Sequence, residues 1–150
     1  MKRGFIQYFI FLLAVGTFII NLCAAGRPSF SGTWHLDPAA SRFGNMPPIE
    51  AGVLTISMPG HKMLHLALST KNANSEKTIE DTWRIDDRYH PIDGPTSGEV
   101  LAKWEGSILL GKKQTVAGLE EIRFRLGPDS ESLTESIDTG NSITTLIWRR

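Results

Sequence analysis

The stretch Val53-Leu54-Thr55-Ile56-Ser57-Met58-Pro59-Gly60-His61-Lys62-Met63-Leu64-His65-Leu66-Ala67-Leu68-Ser69 decides the fold class. Leu54, Ile56 and Met58 occupy alternate positions, and so do Leu64, Leu66 and Leu68. A period of two marks a strand with one buried face. Pro59-Gly60 supplies the turn between them. The connection is too short for the crossover that parallel strands need, so the two runs read as antiparallel neighbours.

The same grammar runs outward in both directions. Strands are expected at 30–36, 53–58, 63–69, 78–85, 99–104, 107–114, 119–126, 133–137 and 142–148. Turn residues separate them, among them Asn72 to Asn74, Asp86-Asp87, Asp93-Gly94-Pro95, Glu105-Gly106, Gly127-Pro128-Asp129 and Thr139-Gly140-Asn141. Helical periodicity is confined to a short candidate at 38–43. Eight or nine consecutive antiparallel strands must bury one face and avoid open edges. An up-and-down meander closed into a barrel, or curled into a half-barrel, does both.

Alternation also assigns an inside. The fourth strand turns Ile79, Trp83 and Ile85 inward and brings Asp81 with them; the fifth contributes Val100, Ala102 and Trp104. Ile122, Phe124 and Leu126 carry Glu120 along, and Leu133 and Ile137 carry Glu135. The last strand reads equally with Ile143 and Ile147 inward or with Leu146 and Trp148. Carboxylates facing inward need partners or water. They belong either to a partly hydrated cavity or to the solvent at a barrel mouth.

Residues 1–25 stand apart from this pattern. Lys2 and Arg3 precede an apolar run over 5–20 that only Gln7, Gly16 and Thr17 interrupt, and small residues follow at Cys23-Ala24-Ala25-Gly26. That is the layout of a secretory signal peptide helix cleaved after Ala25. The domain is then 26–150, exported to a periplasmic or extracellular compartment. A retained membrane anchor and a lipid on Cys23 are the two rival readings, the first because the run approaches the ~18 apolar residues a span requires.

Composition narrows the function. The chain balances 16 Lys and Arg against 16 Asp and Glu, with 41% hydrophobic residues, four Trp and one Cys. Neutral charge lacks the basic footprint of a nucleic-acid binder. Cleavage removes two basic residues and the single Cys, leaving a domain with two more acids than bases and no thiol. Disulfides, Cys-rich metal sites and thiol catalysis go with it. His61 and His65 would lie ~13 Å apart along a strand, too far to share a metal. No G-x-S-x-G elbow and no phosphate-cradling Gly-rich loop is present. No cofactor is expected.

The opening Phe30-Ser31-Gly32-Thr33-Trp34-His35-Leu36 resembles the F-x-G-x-W start of the lipocalin and fatty-acid-binding (calycin) families. More closely, F-S-G-T-W-x-L-x-P-x-x-S-x-F, with Ala102-Lys103-Trp104-Glu105-Gly106 later, resembles small exported bacterial barrel proteins of unassigned function. The resemblance implies a lipocalin-like barrel in which Gly32 and Trp34 are structural. It also implies that a basic residue of Ile147-Trp148-Arg149-Arg150, Arg149 or its neighbour Arg150, covers the Trp34 ring at the closed end. Against the helix–turn–helix lid of fatty-acid-binding proteins, the stretch 37–51 is short and Pro-rich.

Three functions follow from different classes. The first is a barrel that binds a small apolar or amphipathic molecule, with Asp81, Trp83, Trp104, Phe124 and Glu135 as ligand-binding residues. Its two acids would favour neutral or cationic amphiphiles. The second is a filled barrel acting as a surface or protein-interaction module. The third is a hydrolase-type enzyme using Asp81 and Glu135 as acid and base. A cavity of several hundred cubic ångströms separates the first from the second.

Overall fold

In the computed structural model, residues 26–92 and 97–150 are described. The signal peptide expected over 1–25 and the turn at Asp93-Gly94-Pro95 lie outside them. The alternating runs form β1 (Gly32–Leu36), β2 (Ala51–Ser57), β3 (Met63–Asn72), β4 (Ser75–Arg84), β5 (Tyr89–Pro91), β6 (Gly98–Glu105), β7 (Ile108–Thr115), β8 (Gly118–Leu126), β9 (Ser132–Asp138) and β10 (Ile143–Arg149). One short 3-10 turn, Pro59–His61, joins β2 to β3. Among the described residues no helix is long and apolar enough to cross a membrane.

All ten strands belong to one antiparallel sheet, in the order β4-β3-β2-β1-β10-β9-β8-β7-β6-β5. Each strand pairs with its chain neighbour except β4 with β5, and the first strand pairs with the last through His35 opposite Arg149 and Leu36 opposite Trp148. The meander is a barrel open along one seam, between β4 and β5. The strand missed in the sequence is β5. It is three residues long, contains Pro91 and lies at the sheet edge, where a missing N–H is tolerated. So short a segment carries no readable alternation.

The expected inside is the observed inside. Leu54, Ile56, Leu64, Trp83, Val100, Ala102, Phe124 and Leu133 are buried in one core. Register settles the last strand: Leu146 and Trp148 are buried with Thr144, whereas Ile143 is exposed. Tight hairpins keep the register. Asn72 Oδ1 accepts the backbone N–H groups of Asn74 and Ser75 at 3.0 and 2.9 Å, closing β3 onto β4. Gly106 opens the two-residue β6–β7 loop at φ 63, a conformation that suits glycine.

The helical candidate at 38–43 is a turn instead. Asp37 and Pro38 begin as a helix start would, with Asp37 Oδ1 accepting the Ala40 N–H at 3.1 Å. The backbone of Arg42 is then taken by β10, donating to and accepting from Thr145 at 2.7 Å each way. Ser41 Oγ accepts the Ile147 N–H at 3.0 Å, and Thr144 Oγ1 donates to the Phe43 carbonyl at 2.8 Å. These bonds fasten the segment to β10 and carry the chain across to β2.

Candidate functional site

One end of the barrel is solid. Phe30 and Trp34 are wholly buried there, and Phe30 stacks on Trp104 at 5.6 Å between ring centroids. The Trp34 indole N–H donates to the Phe30 carbonyl at 2.8 Å. The cation that covers the Trp34 ring is Arg150, with its guanidinium carbon 4.6 Å from the centroid. Arg149, the other candidate, is corrected by strand parity. Opposite His35 it faces outward, where Nε meets Asp37 Oδ2 at 3.3 Å. Arg150 lies one step past the last paired residue and folds over the end, also donating to the Ser31 carbonyl.

Phe124 forms the boundary of this packed end. Its ring lies 6.3 Å from Phe30 on one side and 6.0 Å from Trp83 on the other. Beyond it a cavity of about 570 Å³ opens, within the size range of ligand pockets. Leu54, Leu66, Leu68, Ile79, Ile122 and Ile137 form much of its wall. Its rim is built by the β3–β4 and β7–β8 hairpins and by Met46, Pro47 and Ile49 from the segment after β1. Those three were not legible as site residues, because nothing in a Pro-rich connector says which part of the barrel it crosses.

Asp81, Trp83, Phe124 and Glu135 all line this cavity. Trp104 does not. It is on an inward face but one level too deep, packed on Phe30 with its N–H directed at the His61 carbonyl at 3.4 Å. Alternation sets which face a residue occupies, whereas depth along the barrel depends on the stagger between strands.

The two acids are held differently. Asp81 Oδ2 accepts from Lys113 Nζ at 2.8 Å, with both side chains nearly buried. Asp81 lies on β4 and Lys113 on β7, so this ion pair crosses the barrel beside its open seam. Lys113, which in sequence is half of an unremarkable Lys-Lys pair, faces inward on the same parity as Gly111. At Gly111 the absence of a side chain admits the Trp83 ring, and any Cβ there would collide with it.

Among the described residues no cation pairs with Glu135. Its residue is 7% exposed, and its Oε2 accepts the Trp148 indole N–H at 3.0 Å. Burial pushes its carboxyl up to about 7 from the ordinary 4.5, against the opposing effect of that hydrogen bond. Trp148 was not among the expected site residues, because the inward parity of the last strand was open. Among the described residues no group of three or more His, Cys, Asp or Glu side chains is placed to hold a metal.

Solved structures with this architecture are numerous. Apo Caenorhabditis elegans lipid binding protein 8 superposes with a TM-score of 0.60 at 13% identity, covering 81% of this chain and 94% of that one. Echinococcus granulosus fatty-acid-binding protein 1 gives 0.59 at 10%, covering 81% and 96%. The fold is that of the fatty-acid-binding barrels. The sheet has ten strands where eight or nine were expected and where a lipocalin barrel has eight, so the lipocalin half of the calycin resemblance gains no support. Secretory abundant heat soluble protein 4 from Ramazzottius varieornatus also shares it, with a TM-score of 0.59 at 11% identity over 83% of this chain and 96% of that one. No protein-family model and no curated protein sequence matches the chain.

Proposed function

We propose that the protein is an exported carrier that binds a small apolar or amphipathic molecule inside its barrel. The observation that supports this is the cavity of about 570 Å³ between the Phe124–Trp83 floor and the hairpin rim. A barrel filled for stability alone would pack this volume with side chains. Several structural neighbours are themselves a fatty acid transporter, a fatty-acid-binding protein and a lipid binding protein. The acids read as wall chemistry rather than as a catalytic pair, since Asp81 is engaged by Lys113 and Glu135 by Trp148. Export rests on residues 1–25, whose basic start, apolar run and small residues have the layout of a cleaved leader.

Nile red titrated into the native protein tests the reading. Uptake should saturate near one dye per chain and quench tryptophan fluorescence, because Trp83 lines the cavity. A cooperatively folded protein that takes up no dye would return the case to the filled interaction module.

A further inference from the structure

The cavity carries a feature that a purely apolar container does not need. Glu135 sits on β9 opposite Phe124 of β8 and Leu146 of β10, among apolar neighbours. One carboxylate oxygen takes the Trp148 N–H, and no protein donor among the described residues reaches the other, Oε1. The remaining charged side chains on the wall are placed elsewhere. Asp81 and Lys113 satisfy each other, Glu120 stands opposite Lys113 in register, and Lys71 and Lys77 lie by the β3–β4 hairpin. A buried carboxylate with one donor and no cation is costly to ionise. A ligand that brings a donor to Oε1 removes that cost.

We propose that Glu135 reads the polar end of the ligand, seating a single-chain amphiphile head inward when the head is an amine or an alcohol and rejecting a carboxylate. This rests on the cavity being a ligand site. An ammonium forms a charge-assisted hydrogen bond to Oε1, and a hydroxyl forms a neutral one. A carboxylate head offers no donor at neutral pH and meets a like charge wherever Glu135 is ionised. Because the Glu135 carboxyl titrates near neutrality, the ammonium complex strengthens as pH rises and Glu135 ionises, whereas the alcohol complex responds little.

Displacement of Nile red from the full chain by dodecylamine, dodecanol and laurate decides the matter, since the three share one tail and differ in the head. The amine and the alcohol should displace dye at concentrations at least about tenfold below laurate, as one charge-relevant contact is worth. In Glu135→Gln, which keeps an acceptor for Trp148, the ratio of amine to alcohol affinity should fall about tenfold. The wild-type protein supplies a second readout: amine affinity should climb between about pH 5 and about pH 8 while alcohol affinity stays nearly flat. Laurate binding as tightly as dodecylamine would overturn the proposal and leave the cavity standing. So would an E135Q protein that keeps the wild-type order, or an amine affinity indifferent to pH. Absence of Nile red uptake by the wild type would remove both readings together.

Discussion

Two residues show how position rather than type sets a side chain's role. Trp34 has no exposed surface and closes the barrel end, so Trp34→Ala should cost about 3–5 kcal/mol in chemical denaturation, as large core truncations do. Arg150→Ala should cost about 1 kcal/mol through the lost ring contact. In the Trp34→Ala background that cost should largely vanish, and strict additivity in the cycle would mean the two do not interact. Arg149→Ala, removing an exposed ion pair with Asp37, should change stability little and couple to Trp34 not at all. Glu135 provides a pH signature. Its carboxyl titrates near 7 in the folded protein and near 4.5 in the unfolded chain, so between those values the folded state binds the extra proton. Stability is therefore greatest below about pH 4.5 as far as this group is concerned and declines as pH rises through about 7, by on the order of 3 kcal/mol. Urea midpoints for Glu135→Gln should lack that decline, and a parallel pH profile in both proteins would place the burial elsewhere.

Among the elements, the seam between β4 and β5 has the least regular bonding. No ladder joins the two strands; Ile85 makes an isolated bridge to Ala102, and the Asp87 N–H donates to the Ala102 carbonyl at 3.0 Å. The interior supplies what the ladder lacks. Trp83 of β4 lies against the bare backbone of Gly111 on β7, and Asp81 of β4 holds Lys113 of β7. A side chain at 111 pushes the indole toward the cavity or the seam apart. Gly111→Val should destabilise the fold by about 1–3 kcal/mol, the usual cost of overpacking. It should also raise amide exchange along β4 before it does so along β9, and equal protection of both strands would show that the contact does not hold the seam.

At the scale of the whole molecule, an asymmetric barrel divides the work. Aromatic side chains fill one end, and the other end keeps its interior open beneath two hairpins and a connector fastened to β10. Phe30 ties the packed end together, stacked on Trp104 and accepting the Trp34 N–H at its carbonyl. If residues 1–25 are removed on export, sequencing of the secreted protein should return Gly26 at its start. A membrane-bound form beginning with Met1 would instead establish a retained anchor.

The all-β class, nine of the ten strands and nearly all of the inward faces follow from sequence, because a strand's period of two is local and needs no partner to be read. Trp34 is buried as the resemblance implied, whereas Gly32, expected to be structural beside it, is exposed, and the resemblance did not choose between Arg149 and Arg150. That choice depended on the register of β10 against β1, a pairing between residues more than a hundred positions apart. The inward set of the last strand was settled by the same kind of pairing. Asp81, Trp83, Phe124 and Glu135 were legible as inward residues, while Trp104 fell below the cavity because stagger, not parity, sets depth. The Lys113 partner of Asp81, the Trp148 donor to Glu135 and the Gly111 space for Trp83 appeared only in the structure. The first and the third join β4 to β7, which only closure of the sheet brings together, whereas the second joins the neighbours β9 and β10 and needed only the inward parity of the last strand.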